Sequence, residues 1–225
     1  MAVDAACAYE ILDYTAMAIA TDNCSTDPTV TQGTTPSIGS TIAAGTTVTI
    51  TLTAEDDSSN TDVCTFDITA FDETAPTVTC PSPATVPTNS NCLVFLADYT
   101  AAGSSVDNCD GTSLTITQSP VAGTAIGGTT VVTLSVTDNS GNLGICTFNV
   151  ELDDTTPPSI VCPADQTVAS DASCAYSLAD YTTFGTVDDN CDLSPVVTQA
   201  PAAGSSVSAT TVVTLTATDA SNNMS

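Results

Sequence analysis

The stretch Thr-Val-Val-Thr-Leu-Ser-Val-Thr-Asp occupies residues 130–138, and Thr-Val-Val-Thr-Leu-Thr-Ala-Thr-Asp occupies residues 211–219. In both stretches apolar residues alternate with small polar ones, which is the period of a half-buried β-strand. β-branched residues, which favour strands, dominate both. Clusters of Gly, Pro, Asn and Asp separate such segments, and no segment has a convincing helical apolar period. The sequence therefore predicts an all-β fold.

These stretches belong to an internal repeat of about 82 residues. Cys80-Pro81 recurs as Cys162-Pro163, and the Cys-Thr-Phe at residues 64–66 recurs at residues 146–148. A repeat of this length suits one small domain, and several short strands per repeat favour an antiparallel sandwich of immunoglobulin type, with a barrel as the alternative. Acidic, proline-bearing linkers at residues 72–76 and 153–158 predict a semi-rigid rod of modules.

The predicted modules cover residues 1–74, 75–156 and 157–225. The first is expected to lack its first strand and the third its last strand, because the Cys-Pro and Cys-Thr-Phe segments are missing there. Two explanations stay open. The chain is a window of a longer array, which we favour, or strands are completed between the subunits of a fibre.

The charge of the chain excludes most chemistry. It has 26 Asp and Glu residues, no Lys, Arg or His, and a net charge of −26. Without His there is no Ser/His/Asp triad, and without Lys there is no Schiff base. Without basic residues the chain cannot neutralise nucleic acid phosphates or bind anionic membranes. We therefore predict that the protein is not an enzyme and that its surface attracts cations.

Ten Cys residues predict disulfides and an oxidising compartment, so we expect an extracellular or cell-surface protein. A zinc–thiolate site is the alternative, but the Cys-x-x-Cys spacing is missing. No apolar run reaches the roughly 18 residues of a membrane-spanning helix.

Three motifs resemble those of one family. Pro-Pro-Ser-Ile-Val-Cys-Pro at residues 157–163 opens a module, and Asp-Asn-Cys at residues 189–191 lies in its middle. Thr-Asp-Asn-Ser-Gly-Asn at residues 137–142, followed by Cys-Thr-Phe-Asn-Val at residues 146–150, closes a module. Together they resemble the hyalin repeat (HYR) module, found in arrays on secreted and surface proteins, notably of bacteria. The resemblance implies immunoglobulin-like modules, an adhesive or structural extracellular role and no catalytic residues. The loop at residues 55–60 lacks the glycine found at Gly141, so its backbone is expected to differ.

The implied fold suggests a disulfide pattern without deciding it. In an immunoglobulin-like sandwich the second and sixth loops lie at the same end. The preferred pairs are therefore Cys24–Cys64, Cys109–Cys146, Cys80–Cys92 and Cys162–Cys174. The alternative pairs are Cys7–Cys24, Cys64–Cys80, Cys92–Cys109, Cys146–Cys162 and Cys174–Cys191.

Acidic loops predict cation sites at the module junctions. Carboxylate and amide oxygens are ligands that suit Ca²⁺, and the chain has no basic side chain to balance them. The alternative is that Asp and Asn simply form solvated turns. The predicted structural Ca²⁺ ligands are Asp22, Asn23, Asp56, Asp57, Asp72, Glu73, Asp107, Asn108, Asp138, Asn142, Asp153, Asp154, Asp188, Asp189, Asn190 and Asp219.

The leading functional hypothesis is a structural or adhesive segment of a long extracellular repeat protein or filament, with other copies or further repeats as partners. One alternative is an array that binds glycans or a partner protein, and another is a spacer of a secreted enzyme. Thr-rich strands and the sequons at Asn23 and Asn223 raise the further possibility of glycosylation.

Overall fold

The computed structural model describes all residues 1–225 and contains strands and two short 3₁₀ turns, Thr15–Met17 and Thr100–Ala102. The first strands are β1 (Ala8–Glu10), β2 (Thr29–Gln32), β3 (Thr41–Ala43), β4 (Thr47–Glu55), β5 (Thr61–Thr69) and β6 (Thr77–Thr79). The next are β7 (Ala84–Pro87), β8 (Val94–Phe95), β9 (Ser104–Val106), β10 (Ile116–Ser119), β11 (Ala125–Ile126), β12 (Thr130–Thr137) and β13 (Leu143–Asp153). The last are β14 (Ser159–Val161), β15 (Tyr176–Ser177), β16 (Thr186–Asp188), β17 (Val196–Ala200), β18 (Ser206–Val207) and β19 (Thr214–Thr218). No helix has the length and apolar character needed to span a membrane.

The chain divides into two compact units. Unit 1 comprises Met1–Pro81, Tyr99–Ser119 and Thr133–Thr147, and unit 2 comprises Ser82–Asp98, Pro120–Val132 and Phe148–Ser225. Strands β12 and β13 contribute residues to both. The three modules expected from the sequence repeat remain a prediction.

Unit 1 contains antiparallel strand pairs. Its largest sheet has the order β2-β4-β5, and β4 pairs with β5 over nine residues, from Thr47 opposite Thr69 to Glu55 opposite Thr61. Shorter pairs are β1 with β3 and β6 with β9. Strand β10 pairs with the unit 1 part of β12.

Unit 2 also consists mainly of antiparallel pairs, which are β8 with β11, β14 with β16, β15 with β18 and β17 with β19. The exception is β7, which runs parallel to the end of β13, with Ala84 opposite Val150. Together, the sheets of the two units confirm the predicted all-β, antiparallel fold class of immunoglobulin-like type, and the rod of modules remains a prediction.

The core of unit 1 follows from the alternation in β4. Ile50 and Leu52 are buried, whereas threonines of the same strand are exposed or half-buried. They pack in one cluster with Ile11, Tyr14 and Ile68. Burying one such aliphatic side chain contributes about 2 kcal/mol, so alternation alone fixes which face of the strand turns inward.

The buried side chains of unit 2 are mainly aliphatic. Val132 and Val150 are fully buried, and Leu178 and Leu215 are nearly so. The one buried aromatic residue here is Phe148. These small cores match the low aromatic content of the sequence.

Candidate metal centres

The loop after β9 turns around an aspartate. The Oδ1 atom of Asp107 accepts hydrogen bonds from the backbone N–H of Cys109 at 2.8 Å and of Asp110 at 3.0 Å. Aspartate favours such turns because its side chain bonds to the backbone two residues further on. These bonds fix the carboxylate and leave its second oxygen available to another ligand.

Asp107 meets the linker aspartate Asp72. The two side chains are only 7% and 4% exposed, and their carboxylate oxygens and the sulfur of Cys109 all lie within 4.8 Å of one another. The sulfur is bonded to Cys7, and only a thiolate is a good metal ligand, so we do not count it. We define site 1 as Asp72, Asp107 and Asn108.

Site 1 contains three buried oxygens without a hydrogen-bond partner. They are Oδ2 of Asp72, Oδ2 of Asp107 and Oδ1 of Asn108. Burying an unpaired charged oxygen is costly, and the chain has no Lys, Arg or His to compensate. Two carboxylates and one amide oxygen are hard ligands, so the donor set fits a cation such as Ca²⁺.

The closing loop of residues 138–142 is hydrogen-bonded to the linker residue of site 1. The Asn142 amide donates to the backbone carbonyl of Asp72 at 3.2 Å and to Oδ2 of Asp138 at 2.7 Å. Burial raises the pKa of Asp138, but hydrogen bonds from Asn142 and the loop backbone outweigh it, so the pKa falls below its usual value. Asp138 therefore remains a carboxylate at neutral pH.

A second cluster has the same construction. Carboxylate oxygens of Asp154, Asp189 and Asp219 lie within 4.8 Å of one another. The Asn223 amide donates to the Asp154 carbonyl at 2.9 Å and to Oδ2 of Asp219 at 2.8 Å. We define site 2 as these three aspartates and Asn190.

The ligand oxygens of site 2 resemble those of site 1. Oδ1 of Asp189 accepts N–H groups of Cys191 and Asp192 at 2.9 and 2.7 Å. Oδ2 of Asp189 and Oδ1 of Asn190 are buried and have no hydrogen-bond partner. Site 2 thus also offers unpaired oxygens, with three negative charges around them.

The earliest acidic loops are more open. Asp22 and Asn23 are exposed and Asp56 is half-buried, whereas their counterparts in sites 1 and 2 are half-buried or buried. Hydrogen bonds from the Ser25 and Cys24 backbone lower the pKa of Asp22. Ser25 Oγ also lies 3.3 Å from Oδ2 of the exposed Asp57. The structure places these predicted ligands outside both three-residue clusters.

The loop at residues 55–60 corrects one expectation. Its backbone resembles that of the later closing loops, because Ser59 adopts the left-handed conformation, with a φ of 62°, that Gly141 adopts in its own loop. The backbone N–H of Ser59 donates to Asp56, as the N–H of Gly141 donates to Asp138. Serine therefore accepts a strained conformation to keep the loop.

Five other predicted ligands also lie outside the clusters. Asp138 and Asn142 bond to each other, and the Asn142 amide also donates to the Asp72 carbonyl. Glu73, Asp153 and Asp188 are exposed neighbours of clustered aspartates. Conversely, the predicted ligand set omits Asn223, although its position in the repeat matches that of Asn142.

The disulfides differ from both predicted patterns. The bonded pairs are Cys7–Cys109, Cys80–Cys146 and Cys92–Cys191, with Cα atoms 4.9, 5.7 and 4.9 Å apart. The cysteines outside these pairs are exposed and free, namely Cys24, Cys64, Cys162 and Cys174.

The preferred pairing is wrong because it assumed that all the closing cysteines lie in loops. Cys64 and Cys146 lie inside strands β5 and β13, and Cys146 faces Cys80, which follows β6. Cys109 instead faces Cys7 across the loop that holds site 1.

Part of the chain matches a known protein family. The HYR domain family matches residues 71–152, which include all of site 1. No curated protein sequence matches the chain. Among solved structures, the human desmocollin-1 ectodomain is similar over 80% of this chain and 42% of that ectodomain, at 12% identity and a TM-score of 0.24. This chain thus spans less than half the length of that ectodomain.

HYR domains are extracellular and non-enzymatic, and three disulfides fit an oxidising compartment. The chain is therefore an extracellular or cell-surface protein, and its residues 71–152 match the HYR domain family.

Proposed function

We propose that the chain is a structural or adhesive segment whose loops are held together by Ca²⁺ at sites 1 and 2. The observation that carries this proposal is the set of buried, unpaired carboxylate oxygens of Asp72, Asp107 and Asp189. Each belongs to a group whose ligand atoms lie within 4.8 Å of one another. A divalent cation would supply the missing positive charge and the missing partners at once.

Oxygen donors favour Ca²⁺ over other common metals. The carboxylate clusters hold no His nitrogen and no free thiolate, and the adjacent Asn108 and Asn190 each offer a buried amide oxygen without a hydrogen-bond partner. Zn²⁺ prefers nitrogen and sulfur, whereas Ca²⁺ accepts six to eight oxygens in flexible geometry, with water completing the shell. Extracellular Ca²⁺ modules bind with dissociation constants of about 10⁻⁴–10⁻³ M, which suits the open setting of site 2.

Bound calcium would have a mechanical role, because it would stiffen the linkers, rather than a catalytic one. In site 1 it would join the linker at Asp72 to the loop at Asp107, and in site 2 the linker at Asp154 to the loop at Asp189. A linker held in this way loses freedom to bend. A segment that must transmit force or hold a distal domain gains from such joints.

The test is calcium titration by isothermal calorimetry together with thermal melting in CaCl₂ and in EDTA at matched ionic strength. We expect two binding events per chain and a higher melting temperature in calcium. Calcium at a hundredfold excess over its dissociation constant contributes about 2.7 kcal/mol per site. Asp107→Asn should remove one binding event, and the exposed neighbour change Glu73→Gln should remove none. Equal melting in calcium and EDTA, without calorimetric heat, would refute the proposal.

A further inference from the structure

The sulfur of Cys109 lies among the buried carboxylates of site 1. It is within 4.8 Å of a carboxylate oxygen of Asp72 and of one of Asp107, and these aspartates are only 4% and 7% exposed. Each aspartate also has an Oδ2 atom that is buried and has no hydrogen-bond partner. The sulfur is bonded to Cys7, and a disulfide sulfur is not a good metal ligand. Reduction of this one bond would therefore leave a thiol beside two unpaired carboxylates.

The three groups are held in place without the disulfide. Asp107 and Cys109 share one turn, because Oδ1 of Asp107 accepts the backbone N–H of Cys109 at 2.8 Å. The linker at Asp72 is held separately, because its backbone carbonyl accepts a hydrogen bond from the Asn142 amide at 3.2 Å. Neither hydrogen bond involves Cys7. Opening the disulfide therefore frees Cys7 and leaves the Cys109 sulfur with both aspartates.

The spacing of the three groups suits a cation that prefers sulfur. Tetrahedral Zn²⁺ forms bonds of about 2.0–2.2 Å to carboxylate oxygen and about 2.3 Å to thiolate sulfur, which puts neighbouring ligand atoms about 3.3–3.6 Å apart. Ligand atoms at most 4.8 Å apart reach that spacing by closing about 1.5 Å or less. The Asn108 amide donates to the Cys109 sulfur at 3.5 Å, and such outer hydrogen bonds help to orient a ligand.

We propose that the chain with its Cys7–Cys109 bond reduced binds a thiophilic divalent cation such as Zn²⁺ through Asp72, Asp107 and Cys109. Water completes the shell, as it does in other zinc sites with three protein ligands. We call these three residues the thiolate site. The oxidised chain offers only oxygens here, so the redox state of one disulfide selects the class of cation. The thiolate site goes beyond the calcium function proposed above, shares two carboxylates with it and does not require calcium to bind.

A small thiol reductant such as glutathione supplies the missing ligand. Two glutathione thiols are oxidised to one glutathione disulfide, and the Cys7–Cys109 disulfide is reduced to two protein thiols. The cation then binds the Cys109 sulfur in place of its proton, which passes to solvent. Because linkage is reciprocal, a cation that binds only the reduced chain also favours reduction of this disulfide.

The first experiment opens the disulfide by mutation in a four-serine chain. This is the full chain with its exposed free cysteines replaced, by Cys24→Ser, Cys64→Ser, Cys162→Ser and Cys174→Ser. In it, Cys7→Ser leaves the Cys109 thiol and Cys109→Ser leaves the Cys7 thiol, so the two variants lose the same bond and keep one thiol each. The probe is Cd²⁺, whose bond to a thiolate gives an ultraviolet charge-transfer band.

The Cys7→Ser variant should bind one Cd²⁺ with this band. It should bind about tenfold or more tightly than Cys109→Ser, because only the Cys109 sulfur belongs to the carboxylate cluster. Adding Asp72→Asn to Cys7→Ser should weaken binding by about tenfold or more, and the four-serine chain with its disulfide intact should show no band. Equal Cd²⁺ affinities of the two cysteine variants, or no band in a Cys7→Ser variant that circular dichroism shows to be folded, would overturn the proposal.

A second measurement decides the question where loss of the bond unfolds both variants. The four-serine chain is equilibrated in a glutathione redox buffer with free Zn²⁺ held constant by a chelator, and mass spectrometry counts the alkylated thiols. Zn²⁺ at a hundredfold excess over its dissociation constant should raise the ratio of reduced to oxidised Cys7–Cys109 about a hundredfold. The internal control is Cys80–Cys146, which lies outside both carboxylate clusters and should not respond. An equal response of both disulfides, or none at Cys7–Cys109, contradicts the thiolate site.

The outcome can be separated from that of the calcium proposal. Calcium binding is measured on the oxidised four-serine chain, and Cd²⁺ binding is measured on its Cys7→Ser variant. A Cd²⁺ band without calorimetric heat from calcium would refute the calcium proposal alone. Calcium heat without a Cd²⁺ band would refute the thiolate site alone.

Discussion

The substitution Asp189→Asn should stabilise the protein in EDTA and destabilise it in calcium, relative to the parent protein. Asn keeps Oδ1, which accepts the N–H groups of Cys191 and Asp192 at 2.9 and 2.7 Å, so the turn survives. It replaces the unpaired Oδ2 and removes one of three charges whose oxygens lie within 4.8 Å. In EDTA the variant should therefore be more stable than the parent, and in calcium it should lose the gain from site 2.

The size of the effect follows from the distance. Two unit charges 4.8 Å apart, the largest separation in the cluster, repel by about 3.5 kcal/mol at an effective dielectric constant near 20. Salt screening and the partial exposure of site 2 reduce this, so we expect a net gain of about 1 kcal/mol in EDTA. That gain corresponds to a rise in melting temperature of about 4–8 °C for a domain of 60–100 residues.

The assay is differential scanning calorimetry of both proteins in EDTA and in CaCl₂. Asp188→Asn is the matched control, because this exposed neighbour changes the same charge outside the cluster. The reasoning fails if Asp189→Asn melts below the parent in EDTA, or if both variants keep the full calcium gain.

Three further predictions concern the fold. Gly144→Ala would place a Cβ 1.9 Å from a linker proline carbonyl, so it should destabilise by at least about 1–3 kcal/mol in urea unfolding, whereas Gly128→Ala, with open space, should not. Changing both Cys80 and Cys146 to Ala should cost about 4 kcal/mol of unfolding free energy, because their bond closes a loop of 66 residues. Hydrogen bonds from the asparagine that ends its loop lower the pKa of Asp56, so this contribution is present above about pH 4 and lost as the pH falls through the lowered value. Acid unfolding followed by circular dichroism should therefore have a shallower limb in Asp56→Asn.

The sequence predicted the fold better than its cross-links. Alternation placed Leu134 and Val136 on a buried face, because strand side chains alternate at every residue. Neighbouring residues also differ at the candidate metal centres. Asp188 and Asp189 are adjacent, and only Asp189 belongs to the cluster, so composition identified the loop but not the residue.

No local sequence pattern indicates which cysteines form disulfides with each other. Cys7 and Cys109 are 102 residues apart, and their contact depends on how two loops meet in the folded chain. Repeat spacing aligns equivalent cysteines, but it does not say whether a partner lies in the same repeat or the next. Likewise, the repeat aligns Asn223 with Asn142, yet the hydrogen bond to the preceding linker is visible only in three dimensions.

The three disulfides span overlapping stretches of the chain, and this limits the effect of proteolytic cleavage. The spans run from Cys7 to Cys109, from residue 80 to residue 146, and from residue 92 to Cys191. Any single peptide-bond cleavage between residues 7 and 191 is therefore bridged by at least one intact cross-link. A protease that cuts one loop in the extracellular medium releases no fragment, and the two parts of the chain stay covalently joined until a second cut or a reductant separates them.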